Sequence, residues 1–218
     1  MKPFFLRLLN MFLGLFIYAL GIVVTINANI GYAPWDVFHV GLSNTIGLSI
    51  GVISIAVGFL LTGIAMLAGE KLGLGTFCNM VVIGLVIDLL FFLKIIPVAP
   101  NKIIGIPMLI AGLFIIAIGT YFYVKTGFGV GPRDNLMVVL AKKTKLPVGL
   151  CRGAVELLVT LGGWLLGGMV GIGTVISVIS IGFCVEITFK LLKFNVTKVQ
   201  HETMLETLRY LKNLKKAN

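Results

Sequence analysis

Charge is scarce in this chain. Only 12% of its 218 residues are charged, and just 8 are acidic. A soluble domain carries about 25% charged residues, so a soluble globular enzyme is excluded. A disordered chain is excluded too, since it needs high charge and few apolar residues. Cysteine is equally sparse: Cys78, Cys151 and Cys184 are odd in number and lie in apolar runs. That excludes a disulfide scaffold and points to buried thiols. With only His39 and His201, no metal-site spacing exists. The absence of a Walker A loop and of a dinucleotide fingerprint leaves ATP-driven transport, redox chemistry and a bound cofactor unencoded.

What is present is apolar. Hydrophobic residues make up 58%, the mean hydropathy is +1.08 and glycine occurs 27 times. This composition describes an all-α polytopic membrane protein, with glycine allowing close helix packing in lipid. The net charge of +10 sits at segment ends and in the tail, where membrane topology rather than nucleic acid accounts for it. Six runs, near 8–28, 48–69, 73–93, 103–124, 146–168 and 171–193, are long enough to cross a hydrocarbon core of roughly 30 Å. The stretches 34–47 and 132–145 are too short to span. Each begins with Pro and has Asp two positions on (Pro34 and Asp36, Pro132 and Asp134), which are helix-start signals. They read as short re-entrant or interfacial helices.

An internal repeat organises the chain. A shift of 98 residues superposes 14–89 on 112–187 and brings eight glycines into register, from Gly14 on Gly112 to Gly84 on Gly182. Pro34 falls on Pro132, Asp36 on Asp134, and Asp88 on Glu186. The halves are 1–98 and 99–194, followed by a tail over 195–218. Each half has three crossings, an odd number, so the halves are expected to be inverted. Charge agrees: the inner segments carry Lys2, Arg7, Lys71, Lys125, Arg133, Lys142, Lys143, Lys145 and the basic tail, while the outer ones carry Lys94 and Lys102. Both termini are then cytoplasmic.

The motifs Gly31-Tyr32-Ala33-Pro34-Trp35-Asp36-Val37-Phe38-His39 and Gly129-Val130-Gly131-Pro132-Arg133-Asp134-Asn135-Leu136-Met137 resemble the paired signatures of the YczE/YyaS/YitT family of bacterial integral membrane proteins, most closely its YczE branch. The resemblance covers roughly 8–193. It implies a bacterial cytoplasmic membrane location and a permease, and it supplies neither substrate nor functional residues.

Ionisable side chains inside a bilayer cost about 2.5–3.5 kcal/mol each and are functional candidates by default. Glu156, with Arg152 one turn before it, is a structural ion pair or a substrate and proton site; their counterparts Gly58 and Ser54 are neutral. Asp36 and Asp88 are expected toward the outer face, Asp134 and Glu186 toward the inner one, as two carboxylate clusters suited to alternating gates. Asp36 and Asp134 would equally cap their helices. Arg133 is an anion site at the inner mouth or a positive-inside anchor, and His39 a proton relay beside Asp36 or incidental. Gly47-Leu48-Ser49-Ile50-Gly51 matches the nucleophile-elbow string, but it lies at a membrane-helix start, where that elbow has no strand. No enzymatic activity is expected. Small residues at spacing four (Gly69 with Gly73, Gly149 with Gly153, Gly163 with Gly167 and Gly171) predict close helix packing.

In the tail, Met204, Leu205, Leu208, Leu211 and Leu214 recur at helical spacing among cations, as in a basic helix lying on an anionic leaflet. The first expectation is a small secondary-type transporter in the lipid bilayer, moving an unknown small solute, with proton or ion coupling and a homodimer both open. The alternative is a non-transporting accessory protein that scaffolds a partner enzyme.

Overall fold

The computed structural model describes residues 2–216, and among these the secondary structure is entirely helical. Six long apolar helices are candidate membrane spans: α1 (Lys2–Asn27), α3 (Ile50–Leu67), α4 (Leu74–Leu93), α5 (Lys102–Val124), α7 (Val148–Leu165) and α8 (Ile172–Leu191). Two short helices, α2 (Pro34–Ile46) and α6 (Pro132–Thr144), and a terminal α9 (Met204–Lys216) complete the set. Helix α1 starts at Lys2, well before the residue 8 expected from hydropathy. Phe4 extends its packed face, meeting the Phe128 ring edge-on at 5.6 Å and the Tyr210 ring at 5.7 Å.

Helices α1 and α5 form the centre, and glycine sets their separation. A side chain on Gly14 would strike the backbone of Tyr123 and Gly119; one on Gly21 would strike Ile116 and Gly112. As numbers rise along α1 they fall along α5, so these two equivalent helices run antiparallel. The remaining contacts follow the repeat. Helix α4 packs on α1 as α8 packs on α5, and α6 packs on α3 as α2 packs on α7.

The loops between the halves are exchanged. Gly173 N–H donates to Ile30 O at 2.8 Å, and its counterpart Gly75 N–H donates to Phe128 O at 2.7 Å. Both crossings need glycine. Gly31 and Gly129 have φ of +111° and +118°, and a Cβ at Gly31 would lie 2.6 Å from Gly171 N. The two ends of the bundle are thereby defined. At the α1 N-terminal end, Arg7 donates to Thr126 O at 2.7 Å and pairs with Glu202 at 2.7 Å, while Lys142 pairs with Glu70 at 2.7 Å. At the other end, Asn27 donates to Ile96 O at 2.8 Å and Asn44 to Gly167 O at 3.4 Å.

Each short helix starts with Pro in the position where a missing N–H costs nothing, after an extended residue, Ala33 or Gly131. Each also ends in a left-handed residue at equivalent places. In α2 this is Gly47 (φ 78°), in α6 it is Lys145 (φ 59°). A side chain in that conformation costs about 1–2 kcal/mol. Lys145→Gly should therefore stabilise the protein by about 1 kcal/mol, read as a raised thermal midpoint of the detergent-purified protein, whereas Lys145→Val should lower it.

The tail does not hang free. Glu202 N–H donates to Gly127 O at 2.7 Å and Met204 N–H to Leu72 O at 2.8 Å, tying residues 202–204 to two loops of the body. The Thr203 backbone N–H (2.7 Å) and hydroxyl (2.9 Å) hold the Glu206 carboxyl below the usual carboxylate range and cap α9. Leu205 and Leu208 are exposed; Leu211 and Leu214, expected on the same face, lie outside the residues whose side chains are described.

Packing by the spaced small residues is uneven. Gly73, Gly163 and Gly171 are pressed against Phe128, Phe38 and Ile30, whereas Gly69, Gly149, Gly153 and Gly167 face open space. Of these, Gly69 and Gly167 have φ of +89° and +88° and serve the ends of α3 and α7. The expectation of helix-to-helix contact at those four positions is therefore corrected.

Candidate functional site

Trp35 and Arg133 are the second residues of α2 and α6 and occupy equivalent places in the repeat. They meet. The Arg133 guanidinium carbon stands 5.0 Å from the Trp35 ring centroid, a cation–π distance. The first turns of the two short helices therefore face each other in the interior, each with free backbone N–H groups and a positive dipole end.

Around this meeting lies a cavity of about 240 Å³ lined by residues of all eight body helices. Tyr18 and Ile22 come from α1, Trp35 and His39 from α2, Ser54 and Gly58 from α3, Asn79 and Met80 from α4. The second half contributes Thr120 and Tyr123 (α5), Arg133 and Asp134 (α6), Arg152 and Glu156 (α7), and Ile181 and Val185 (α8). Equivalent positions of the two halves line it together: Trp35 and Arg133, His39 and Met137, Ser54 and Arg152, Gly58 and Glu156. Residues of α7 and α8 reach it although these two helices do not pack along each other. By contrast, α3 and α4 are closed. A Cβ at Gly84 would lie 2.6 Å from Gly51 O, and one at Gly58 would lie 2.7 Å from Met80 Cβ.

The charges fall into two groups beside Tyr18, which lies in the field of Arg133, Asp134, Asp36 and Arg152. Arg152 Nε donates to Glu156 at 2.8 Å, one turn along α7. Arg133 NH2 approaches His39 Nδ1 at 3.5 Å. An arginine is donor-only, so Nδ1 accepts and the neutral ring carries its proton on Nε2. That Nε2 is buried and has no partner, and neither does the buried Tyr123 hydroxyl. Asp36 is buried beside Arg133. Asp134 is exposed and lines the cavity.

Six of the eight residues singled out in the sequence are thus gathered at one place: Arg152, Glu156, Asp36, Asp134, Arg133 and His39. The expected pair of carboxylate clusters, one per face, is corrected. Asp36 and Asp134 share one cluster because the short helices meet at their first turns. Asp88 lies elsewhere, accepting from Ser49 Oγ and from Gly51 N–H (2.8 Å) at the start of α3; it caps that helix. Glu186 lies on an exposed face of α8, paired with Lys190 at 2.7 Å. Asp36 and Asp134 do lie in the first turns of their helices, where a carboxylate favours the dipole, but among the described residues neither accepts a hydrogen bond from a helix N–H. Ser49 bonds Asp88 and is the N-cap of α3. Tyr18, Tyr123 and Asn79 were missed by sequence reasoning. The only trace they leave is a polar atom inside an apolar run, which many structural residues share.

Six long apolar helices around a charged interior cavity define an all-helical integral membrane protein. The chain belongs to DUF6198, a family of unknown function, which matches residues 5–190. It is similar to the uncharacterized membrane protein YczE of Bacillus subtilis, with 36% identity over 195 residues, covering 86% of this chain and 89% of that one. It is also 34% identical over 179 residues to an uncharacterized protein of Haemophilus influenzae, covering 79% and 78%. The uncharacterized protein YyaS of Bacillus subtilis is 30% identical over 168 residues, covering 76% and 84%. No solved structure matches the chain.

Proposed function

We propose that the protein is a small-solute permease of the secondary-transporter type in the bacterial cytoplasmic membrane. Its halves lie inverted in the bilayer with both termini cytoplasmic, and they expose the central cavity to each side in turn. The observation that carries this reading is the cavity, lined by equivalent residues of both halves and faced by the first turns of two short helices. Broken helices aiming positive ends at a central site are the arrangement by which inverted-repeat transporters hold solutes.

Four further observations support it. Equivalent helices α1 and α5 run antiparallel, as inversion requires. The Lys142–Glu70 pair and the Asn44–Gly167 contact lie at opposite ends of the bundle. One equivalent seam, α3–α4, is closed while the other, α7–α8, is parted, as expected of a machine whose halves exchange conformations. Carboxylates without hydrogen-bond donors, Asp36 and Asp134, are the groups suited to carry a coupling proton.

The test has two arms. In a background lacking Cys78, Cys151 and Cys184, Asn44→Cys and Lys142→Cys should react with a membrane-impermeant maleimide from opposite sides of the membrane. Reaction from one side removes the inverted arrangement. Purified protein in liposomes should accumulate a solute from a metabolite panel, more so with an imposed proton gradient; no movement of any solute removes the permease.

A further inference from the structure

Four charged side chains line the cavity, and they differ in what they lack. Arg152 and Glu156 satisfy each other at 2.8 Å. Arg133 and Asp134, adjacent on α6, have no such relief. Among the described residues, Arg133 has no carboxylate within ion-pair distance; its contacts are the Trp35 ring face and His39 Nδ1. Asp134 lines the cavity and, among the described residues, accepts no hydrogen bond. One unpaired cation and one unpaired anion thus share a small space. The donor side is reinforced by the first turns of α2 and α6 and by the unpartnered His39 Nε2, a buried N–H on a cavity-lining residue.

Charge balance narrows the ligand. A lone anion on Arg133 leaves the Asp134 carboxylate without a partner, and a lone cation on Asp134 leaves the Arg133 guanidinium with only the Trp35 ring and His39. Either leaves one of the two groups unsatisfied. A molecule carrying one charge of each sign answers both. The cavity, at about 240 Å³, is smaller than the roughly 300–1,000 Å³ of drug-sized sites, so the two charges lie only a few bonds apart.

We propose that this cavity binds a small zwitterion, its carboxylate or other oxyanion on Arg133 between the two short-helix ends, its ammonium on Asp134. The inference rests on the reading of the cavity as a solute site and adds the substrate class.

The first arm uses the unsubstituted protein in nanodiscs, so its outcome does not depend on a variant folding. Titration calorimetry and thermal shift are run with glycine, L-alanine, L-glutamine and γ-aminobutyrate. Each is compared with its N-acetyl derivative (anion only) and its carboxamide (cation only). At least one zwitterion should bind, with both derivatives about 10- to 100-fold weaker, the range for losing one charged hydrogen-bonded contact. Arg133→Gln should erase the penalty on the carboxamide, and Asp134→Asn the penalty on the N-acetyl form. A merely structural role for these residues would not exchange the two preferences. Equal binding of either derivative, or no binding of any zwitterion by cooperatively unfolding protein, overturns the proposal. Parallel liposome uptake separates it from the permease reading. A zwitterion bound but not carried removes the permease and leaves the site; a carried anion or cation with no zwitterion bound does the reverse.

Discussion

Gly119→Leu should abolish the folded protein. Gly119 is in the C-terminal third of α5, where α1 crosses it. An added Cβ would already lie 2.5 Å from Tyr18 N and 2.8 Å from both Gly14 O and Tyr18 Cα. All three are backbone atoms of a packed helix, so no rotamer change relieves the clash. The helices must separate, and with them the buried cluster of Met11, Leu15, Ala19, Ile22, Ile116 and Tyr123 that the crossing organises. Overpacking a core costs about 1–3 kcal/mol where side chains can yield; here the cost should exceed that range. The readout is monodisperse protein after mild detergent extraction, together with its thermal midpoint. Gly182→Leu is the control, because nothing lies within 4 Å of its Cβ position; its yield and midpoint should match the wild type. A folded Gly119→Leu would mean that α1 and α5 do not cross as described.

The same comparison shows what a linear chain discloses. The eightfold glycine register announces that two halves share a plan, and Gly14, Gly21, Gly112 and Gly119 then pair across one crossing as that plan allows. Register cannot say which equivalent positions touch. Gly51 and Gly84 are pressed together while Gly149 and Gly182 face nothing, although the glycines match one for one. The reason lies in neighbours that the repeat does not keep. Gly58 admits Met80 beside it, whereas Glu156, in the equivalent place on α7, carries a carboxylate held by Arg152. Likewise Ser49 engages Asp88, while Pro147 offers no hydroxyl and leaves Glu186 to pair with Lys190. Six of the candidate ionisable residues could be picked from the sequence because ionisable groups inside a membrane are expensive. Their convergence could not, because it depends on two short helices meeting at their first turns, a tertiary fact with no local signature.

Gly149→Cys/Gly182→Cys should form an intramolecular disulfide only in the working protein. In the observed state the two positions are apart and unobstructed, so the double variant should fold and unfold like the wild type. Their equivalents, Gly51 and Gly84, are in contact, and a repeat whose halves exchange conformations must at some point close α7 on α8 as α3 is closed on α4. Disulfides demand Cα separations of about 4.4–6.8 Å, so the bond reports that closure directly. In a background without the three native cysteines, mild oxidation under a proton gradient should lock the protein, with solute uptake near zero until a reducing agent restores it. Either single variant should keep full uptake under the same treatment. Unreacted cysteines in a protein that still transports would mean that the α7–α8 gap is permanent and that the halves do not exchange. A bond between chains, seen as a covalent dimer, would assign the gap to contact between copies and set the alternating mechanism aside. Glycine leaves room for sulfur at both positions, and Glu156 and Arg152, one to two turns from Gly149, must be carried along when the seam closes.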